Sequence, residues 1–526
     1  MTNSRKILTK TFLASATAAL LALSFPGFNV WVCAWFALIP LFVALEGLSP
    51  LRAFVVAYGA GILFYFGTVY WLIHVTMPGM ITVVLYLGLY FGVFGSFFAL
   101  IRPLRLSALA VVPSAWVALE YLRAHLFSGF GWALLGYSQT NNLPMIQIAD
   151  MFGGYGVSFL IVMVNAGLYQ CMREMRPPNS ASAIGKPMRP RRLFAPLVVA
   201  GACVAATFVY GVCRLNTIFV GETLKISIVQ GNIPQCQKWD RRFREEIIGT
   251  YERLTREAAG DDPDLIIWPE TAVPGLLASG GEFDSRLASL AKEVAKPILV
   301  GAPRIQNNAS YNSAFLFMNN GTIAGRYDKI KLVPFGEYLP FKKIFSFVKS
   351  IAPIPIGDFS SGSERTVFTI DRERRTESDE RIVRVSKRVK FSSLICFEDI
   401  FPEAARSFRA EGAQFLVNIT NDAWFLEGPA AYQHAQASVF RAIETRTNVV
   451  RAANTGLSCF IDQAGRIRQR VSRNGEDLFV EGFSTQRIVL ANTGSFFMEH
   501  GDVFAAIAAY IALLWAIFEK VRRKTA

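Results

Sequence analysis

A single cysteine is the side chain around which chemistry could be built. Cys396 stands in FSSLICFED (Phe391 to Asp399), where Leu394-Ile395 carries it to the end of an expected buried strand and Phe397, Glu398 and Asp399 follow at once. A thiol at the rim of a sheet is within reach of a substrate. It becomes a strong nucleophile once a base takes its proton or a cation holds it as thiolate. Histidine is the usual partner, but of the four histidines (His74, His125, His434, His500) only His434 and His500 fall in the polar second half. His434 lies inside an expected helix and His500 beside the last apolar run, so neither sits at a strand end. A carboxylate with an ammonium is the other solution. LIIWPETA (Leu265 to Ala272) offers Glu270, and GRYDKIKLVPFGEYLPF (Gly325 to Phe341) offers Lys329 and Glu337. Glu270, flanked by Trp268 and Pro269, would sit partly out of water, which suits a proton acceptor. Lys329 could hold the sulfur anion and the oxyanion of a tetrahedral intermediate. Singly, a buried cysteine is most often a small core residue. Three such groups, each at the end of an expected strand, form a far more specific pattern.

The elements that would carry them lie in the block from about 214 to 501. Short apolar runs bounded by turn residues recur there: 224–230, 264–270, 297–302, 313–319, 392–398 and 414–420. Amphipathic segments at Arg241 to Ala258, Phe283 to Val294 and Ala430 to Thr447 read as helices. Strand-length runs alternating with helices predict an α/β domain around a buried sheet. Thr366 to Lys390 is densely charged and reads as an exposed β-hairpin, a solvated insertion in preference to a contact with anionic lipid.

The rest of the chain is of a different kind. It is 526 residues long, 52% hydrophobic and only 18% charged, with a mean hydropathy of +0.32, a composition that suits a membrane protein. A bilayer-crossing helix needs about 20 mostly apolar residues. Eight stretches qualify, near 11–28, 30–47, 52–75, 79–101, 107–124, 151–172, 193–213 and 502–519. The organisation expected is therefore residues 1–213 as seven helices, 214–501 as a folded domain and 502–526 as an eighth helix with a basic tail. The net charge of +14 is unevenly placed. Arg5, Lys6 and Lys10, then Arg52, then Arg102 and Arg105, then Arg173 to Arg192, then Lys520 to Lys524 all fall on one side if the helices number eight. Basic loops stay cytoplasmic, which puts both termini inside and the 214–501 block outside. The aromatic, glycine-rich loop from Ala124 to Asp150 would lie on the outer side, as an interfacial belt or as part of a mouth for lipid chains.

Several classes are excluded. The seven cysteines show no CxxC spacing, so neither a zinc site nor a disulfide framework is indicated. No phosphate-binding or dinucleotide fingerprint is present. Cys33, Cys171, Cys203 and Cys213 fall in or at the ends of apolar spans; whether Cys236 and Cys459 pair is left open.

LIIWPETA, GRYDKIKLVPFGEYLPF, SSLICFED and NITNDAWF (418–425) together resemble the nitrilase superfamily, whose members use a Glu-Lys-Cys triad on an αββα sandwich. QGNIPQCQKW (230–239), WPETA, KxxLVPFGE, CFE and NDAWF look like its integral-membrane branch, the apolipoprotein N-acyltransferases, and the likeness extends over nearly the whole chain. The resemblance implies a bundle of about eight transmembrane helices plus an extracytoplasmic nitrilase-like domain. It makes Glu270 the general base, Lys329 the oxyanion-stabilising cation and Cys396 the nucleophile. Glu337 matches a second glutamate near the triad, against the alternative of a turn cap. Glu398 matches a glutamate two residues beyond the family cysteine; were the strand to continue, it would share a face with Cys396. Trp239 matches a tryptophan at the mouth of the site, against a place in the core or an interface. The family often has tyrosine after the cysteine; here it is Phe397. Asn421-Asp422 reads as a pair that holds turns at the sheet edge. The implied reaction moves an acyl chain from a phospholipid, phosphatidylethanolamine in this family, through a Cys396 thioester to the α-amine of a diacylglyceryl-cysteine lipoprotein. No metal, cofactor or nucleic acid enters it. The enzyme would be a monomer in the bacterial inner membrane with its catalytic domain in the periplasm. Two other functions fit parts of the pattern. A membrane-tethered amidase would use the same triad but needs no bilayer. A transporter would carry more ionisable residues in its spans than Glu46, His74, Glu120 and Arg123.

Overall fold

The computed structural model describes residues 3–101, 106–175, 190–217, 219–278, 280–339, 358–378 and 381–525. They form two compact units. One comprises Met1–Ile73, Met77–Thr217 and His500–Ala526; the other comprises His74–Thr76 and Ile218–Glu499.

The first unit is helical. Among the described residues, six helices are long and apolar enough to cross a membrane: Arg5–Leu23, Pro50–His74, Met77–Leu100, Ala149–Glu174, Phe194–Leu215 and Val503–Arg523. The stretch expected as one helix over 30–47 is instead a 3-10 turn, Trp31–Trp35, followed by the short helix Ile39–Leu45. Pro40 explains the break. Its ring would clash with the carbonyl four residues back, so the helix restarts with proline in its first turn. The break leaves backbone groups to satisfy, and Asn165 does so by donating to the Ala34 carbonyl and accepting from the Leu38 N–H at 2.9 Å. The segment expected over 107–124 is the helix Ala108–His125, which carries buried Glu120 and Arg123. Glu120 accepts from the Leu135 N–H at 2.7 Å, and Arg123 donates to the Trp132 carbonyl at 2.6 Å. These two bonds draw the following loop inward. Residues 131–139 are buried, and only Leu126 and Phe127 of its large apolar residues are exposed. The expectation of an aromatic belt over Ala124 to Asp150 is corrected to a loop largely folded into the unit. The loops bearing Arg102, Arg105, Arg176, Lys186 and Arg189 lie outside the described residues.

The second unit is built on two six-stranded sheets. The first runs β12-β1-β2-β3-β4-β5, with β1 Thr223–Gln230, β2 Leu265–Ile267, β3 Ile298–Gln306, β4 Ala309–Phe317, β5 Ile323–Asp328 and β12 Gly482–Val489. The second runs β11-β10-β9-β8-β7-β6, with β6 Phe368–Ser378, β7 Arg381–Ile395, β8 Phe415–Thr420, β9 Asn448–Ala453, β10 Cys459–Ile461 and β11 Ile467–Arg470. All six runs read as strands from the sequence are strands. β1, β2 and β3 are parallel, as are β7, β8 and β9. β4 is antiparallel to both β3 and β5, so two reversals return β5 to the direction of β2. The C-terminal ends of β1, β2 and β5 therefore leave the sheet at one edge. The sheets pack with β1 against β9 and β4 against β7. The helices Arg244–Ala259 and Glu282–Val294 cover the outer face of the first sheet, and Pro402–Ala410 and Ala430–Thr445 that of the second. This is the expected αββα layering.

The charged segment 366–390 is indeed a hairpin, with Phe368 paired to Phe391 and Ser378 to Arg381. It is not a separate insertion, however. Its second strand is β7 itself, a run of 15 residues that continues inward to Leu394-Ile395. Fully buried strands such as β2, β8 and β9 owe their stability to apolar burial on both faces. Trp268, just past β2, is fully buried, stacks on Tyr251 at 5.0 Å and donates its indole N–H to Thr255 at 2.8 Å.

Asn454, buried just past β9, ties the two sheets together at this edge. Its side chain accepts from the Ile233 N–H at 2.9 Å, donates to the Ile233 carbonyl at 2.8 Å and donates to Asn421 at 3.0 Å. Asn454→Ala leaves a buried backbone donor and acceptor unpaired and should cost about 2–4 kcal/mol. A lowered thermal midpoint in detergent is the expected result; an unchanged midpoint would show that water takes over the amide's bonds.

Candidate active site

β7 ends at Ile395, and Cys396 turns out of it with φ +53° into the 3-10 turn Cys396–Ile400. Left-handed backbone at a non-glycine residue has to be held by its surroundings. Two donors hold the Cys396 carbonyl: the Asn418 side-chain amide at 3.1 Å and His434 Nε2 at 3.2 Å. Cys396 itself is half-buried. The turn also removes the condition on which Glu398 would share a strand face with Cys396. The strand does not continue, and Glu398 folds back beneath the turn. It accepts from the N–H groups of Ile395 (2.8 Å), Ile330 (2.8 Å) and Lys331 (3.0 Å) and from the Tyr327 hydroxyl (2.8 Å). One carboxylate thus pins the cysteine turn to the segment that follows β5 and carries Lys329.

Glu270 leaves the end of β2 and is 6% exposed. Its Oε1 accepts from Asn312 Nδ2 at 2.7 Å, and its Oε2 accepts from the Asn421 backbone N–H at 2.8 Å. The Lys329 ammonium stands 3.5 Å from Oε1. Lys329, just past β5 and 1% exposed, also bonds Glu337 at 2.9 Å. Asn312, from β4, donates to Glu337 Oε1 as well, at 3.0 Å. Glu337 Oε2 accepts from the Val333 N–H at 2.8 Å. The two readings of Glu337 are thus both realised: it caps a turn, and it joins Glu270 in pairing Lys329. Close approach of the Glu270 segment to β3 requires Gly301, since a β-carbon there would lie 2.3 Å from the Pro269 carbonyl oxygen.

The charges interact as this layout dictates. Burial lowers the Lys329 ammonium's proton affinity, but the negative groups Glu337, Glu270 and Cys396 outweigh it and raise its pKa well above the ordinary value. Burial raises the Cys396 pKa, and the Glu270 charge raises it further, while Lys329 and a hydrogen bond from Thr420 act the other way. The resting sulfur is therefore a thiol beside a carboxylate, and its proton must move during attack.

A second polar layer lies beneath the cysteine turn. His434, in the helix Ala430–Thr445, is hydrogen-bonded to Asp422 at Nδ1 (2.8 Å), and its Nε2 forms an ion pair with Asp399 Oδ1 at 3.0 Å. Arg451 in β9 bonds Asp399 at 3.1 Å and Asp422 at 3.0 Å. All four are buried. Two carboxylates facing one guanidinium and one imidazole balance when the imidazole is protonated. Burial and Arg451 push His434 down, but Asp399 and Asp422 outweigh them and hold it up at about 9. Asp422 is held down at about 2 by His434 and Arg451 against the effect of its burial.

Glu270, Lys329 and Glu337 form one hydrogen-bonded cluster whose charges act on Cys396, and Glu398 buttresses it from below. Trp239 is 50% exposed; it belongs to neither the core nor the cluster. Cys236 is an exposed free thiol and Cys459 a buried one. The sequence reading missed Asn312, which gives no local signal, since it lies among Ser310, Tyr311 and Ser313 in the polar first half of β4. It set His434 aside as a helix residue, yet that side chain reaches the Cys396 carbonyl. It cast Asn421-Asp422 as turn holders, whereas the Asn421 backbone bonds Glu270 directly. Lys238 was not singled out at all; it is 2% exposed and donates to the Glu270 carbonyl at 3.1 Å.

The paired sheets and this cluster define a nitrilase-like domain. The family model described as carbon-nitrogen hydrolase matches residues 225–493, and the one described as apolipoprotein N-acyltransferase N-terminal domain matches residues 17–167. An apolipoprotein N-acyltransferase of Geobacter metallireducens is 38% identical over 522 residues, covering 95% of this chain and 94% of the relative. One from Pasteurella multocida is 29% identical, covering 87% of this chain and 86% of the relative. A solved amidase from Nesterenkonia sp. AN1 aligns at 16% identity and a TM-score of 0.36, covering 53% of this chain and 96% of that one. The chain belongs to the apolipoprotein N-acyltransferase family.

The His434 network predicts a pH dependence of stability. The folded pKa, about 9, exceeds the ordinary value of 6.5. The stabilisation is fully present below about pH 6.5 and is lost as pH rises through about 9, a change of roughly 3 kcal/mol. The thermal midpoint of the wild type relative to His434→Gln should therefore shrink across that window. A difference that stays constant with pH would count against a protonated His434.

Proposed function

We propose that this protein transfers an acyl chain from a phospholipid to the N-terminal α-amine of diacylglyceryl-cysteine lipoproteins, by way of a thioester on Cys396. The observation that carries the reading is the buried cluster of Glu270, Lys329 and Glu337 acting on a half-buried thiol at a strand end. The relatives named apolipoprotein N-acyltransferase, similar along almost the entire chain, supply the substrate class.

In the first half-reaction Glu270 accepts the Cys396 proton as the sulfur attacks the ester carbonyl of the donor, phosphatidylethanolamine. Lys329 stabilises the developing oxyanion. Its two carboxylate partners keep it charged, so no proton is lost from it at the critical moment. Glu270 then protonates the departing lysophospholipid oxygen, leaving an acyl-enzyme. In the second half-reaction the lipoprotein amine attacks the thioester, Glu270 takes a proton from the attacking nitrogen, and it passes that proton to the sulfur as the carbon–sulfur bond breaks. Each product leaves before the next substrate reacts, a ping-pong scheme. Glu398 keeps the Cys396 turn in register with Lys329. Phe397 and Phe401, edge to face at 5.2 Å, place apolar surface beside the turn, which suits an intermediate that water must not reach. Exposed Trp239 would meet substrate at the mouth.

Both substrates are bilayer lipids, and the helices suit a multi-pass membrane protein. The basic residues between the apolar stretches of the sequence support a topology with both termini in the cytoplasm and the catalytic unit in the periplasm. An amidase reading is weaker, because a small polar substrate gives the N-terminal helices no purpose.

Purified enzyme incubated with phosphatidylethanolamine alone should gain one acyl group on the peptide containing Cys396, seen by mass spectrometry. Cys396→Ala should abolish both the adduct and N-acylation of a diacylated lipopeptide. An adduct on Cys236 instead would overturn the assignment. Glu270→Gln should slow adduct formation by about 10²-fold or more, in line with loss of a general base; formation at the wild-type rate would place the base elsewhere.

A further inference from the structure

The second half-reaction has one proton too many. A free α-amine has a pKa near 8 and arrives at neutral pH largely as an ammonium carrying three protons. The amide product keeps one. Glu270 carries one to the Cys396 sulfur as the carbon–sulfur bond breaks and the carbon–nitrogen bond forms. The remaining proton needs an acceptor of its own, and it must leave before attack, since an ammonium has no lone pair.

Two buried lysines stand at the Glu270 end of the site, and their surroundings differ. Lys329, 1% exposed, faces two carboxylates and is held as an ammonium. Lys238, 2% exposed, has one hydrogen bond, to the backbone carbonyl of Glu270 at 3.1 Å, and makes no ion pair among the described residues. A buried ammonium without a carboxylate partner pays the full cost of leaving water. A neutral amine in the same place can donate one N–H to the carbonyl and still present its lone pair. The titratable groups that bear on Lys238 are Glu270 past β2 and Cys396 past β7. Burial pushes Lys238 down to about 7, an effect that Glu270 first and Cys396 second only partly offset. The segment that carries it is anchored to the site by Gln235, which accepts from the Asn421 side chain at 2.8 Å, and it ends at exposed Trp239.

We propose that Lys238 is the proton acceptor for the incoming amine in the second half-reaction. This rests on the thioester reading above. Lys238 takes one proton from the acceptor's ammonium, and the freed lone pair attacks the thioester carbonyl. Glu270 moves the next proton from nitrogen to sulfur, and Lys238 returns its own to solvent once the product has left.

The test separates the half-reactions. Lys238→Met and Lys238→Arg enzymes are first loaded with phosphatidylethanolamine and then chased with a synthetic diacylated lipopeptide bearing a free N-terminal amine. Thioester should form on Cys396 at close to the wild-type rate in both variants, which also shows that they are folded. Its consumption by the lipopeptide at pH 7 should slow on the order of 10²-fold. The defect should shrink as pH rises past about 8, where the lipopeptide amine loses its proton unaided. Arginine, which keeps the charge but cannot accept a proton, should not rescue. Slowing that is equal at every pH, rescue by arginine, or a defect confined to thioester formation would each overturn the proposal. Absence of a thioester on wild-type Cys396 would instead overturn the reading on which it rests.

Discussion

The structure depends on keeping an ammonium and two carboxylates together out of water next to a thiol. In place of an imidazole, Cys396 has the Glu270 carboxylate and the Lys329 ammonium as the charged groups that bear on it. Neither is stable alone in a buried site. The solution is mutual. Lys329 pairs with Glu270 and Glu337, and the amide of Asn312 spans the two carboxylates so that both stay on the same cation. The backbone N–H groups of Asn421 and Val333 take up remaining oxygen lone pairs. Each group's desolvation is offset by a neighbour in the same cluster, so the site is folded as a unit or not at all.

Sheet direction makes that convergence possible. β2 and β5 are separated by β3 and β4, but two antiparallel steps bring β5 back to the heading of β2, so Glu270 and Lys329 leave one edge. In the other sheet, β7 and β8 run parallel and deliver Cys396 and Asn421 side by side. Asn454 and the Asn421–Glu270 bond join the two edges. The left-handed turn at Cys396 is held by donors to its carbonyl from His434 and Asn418, and these rest on the Asp399, Asp422 and Arg451 network. The half-buried Cys396 thiol thus stands on two successive buried polar layers.

Much of this was legible in the chain. Apolar runs that lead to Glu270 and Cys396 announce strands, because fully buried strands leave few polar residues to obscure the pattern; β5, which leads to Lys329, is mostly exposed and shows no such run. The long apolar stretches announce helices for the same reason. What escaped notice were residues whose importance lies in their partners. Asn312 is one amide in a strand, and His434 one imidazole in a helix; nothing local distinguishes either from a core polar group. The break at Pro40 was visible in principle, since proline inside an apolar run argues against an unbroken helix. The charged 366–390 hairpin was legible as a hairpin but not as the outer half of the strand that carries the cysteine, because its polar face masks the continuity of β7.

By itself, then, the sequence determined which thiol, carboxylates and ammonium stand at the ends of strands, and on what kind of scaffold. Residue type and burial periodicity are local properties, and they survive in one dimension. Only the tertiary structure decided which carboxylate meets which cation, that Glu398 turns back to pin a loop, and that Lys238 stands beside Glu270 with no ion-pair partner among the described residues. Those outcomes depend on distances between segments as far apart as Glu270 and Asn421 or Ile233 and Asn454. Coulomb energy and desolvation are set by such distances, and no spacing along the chain encodes them.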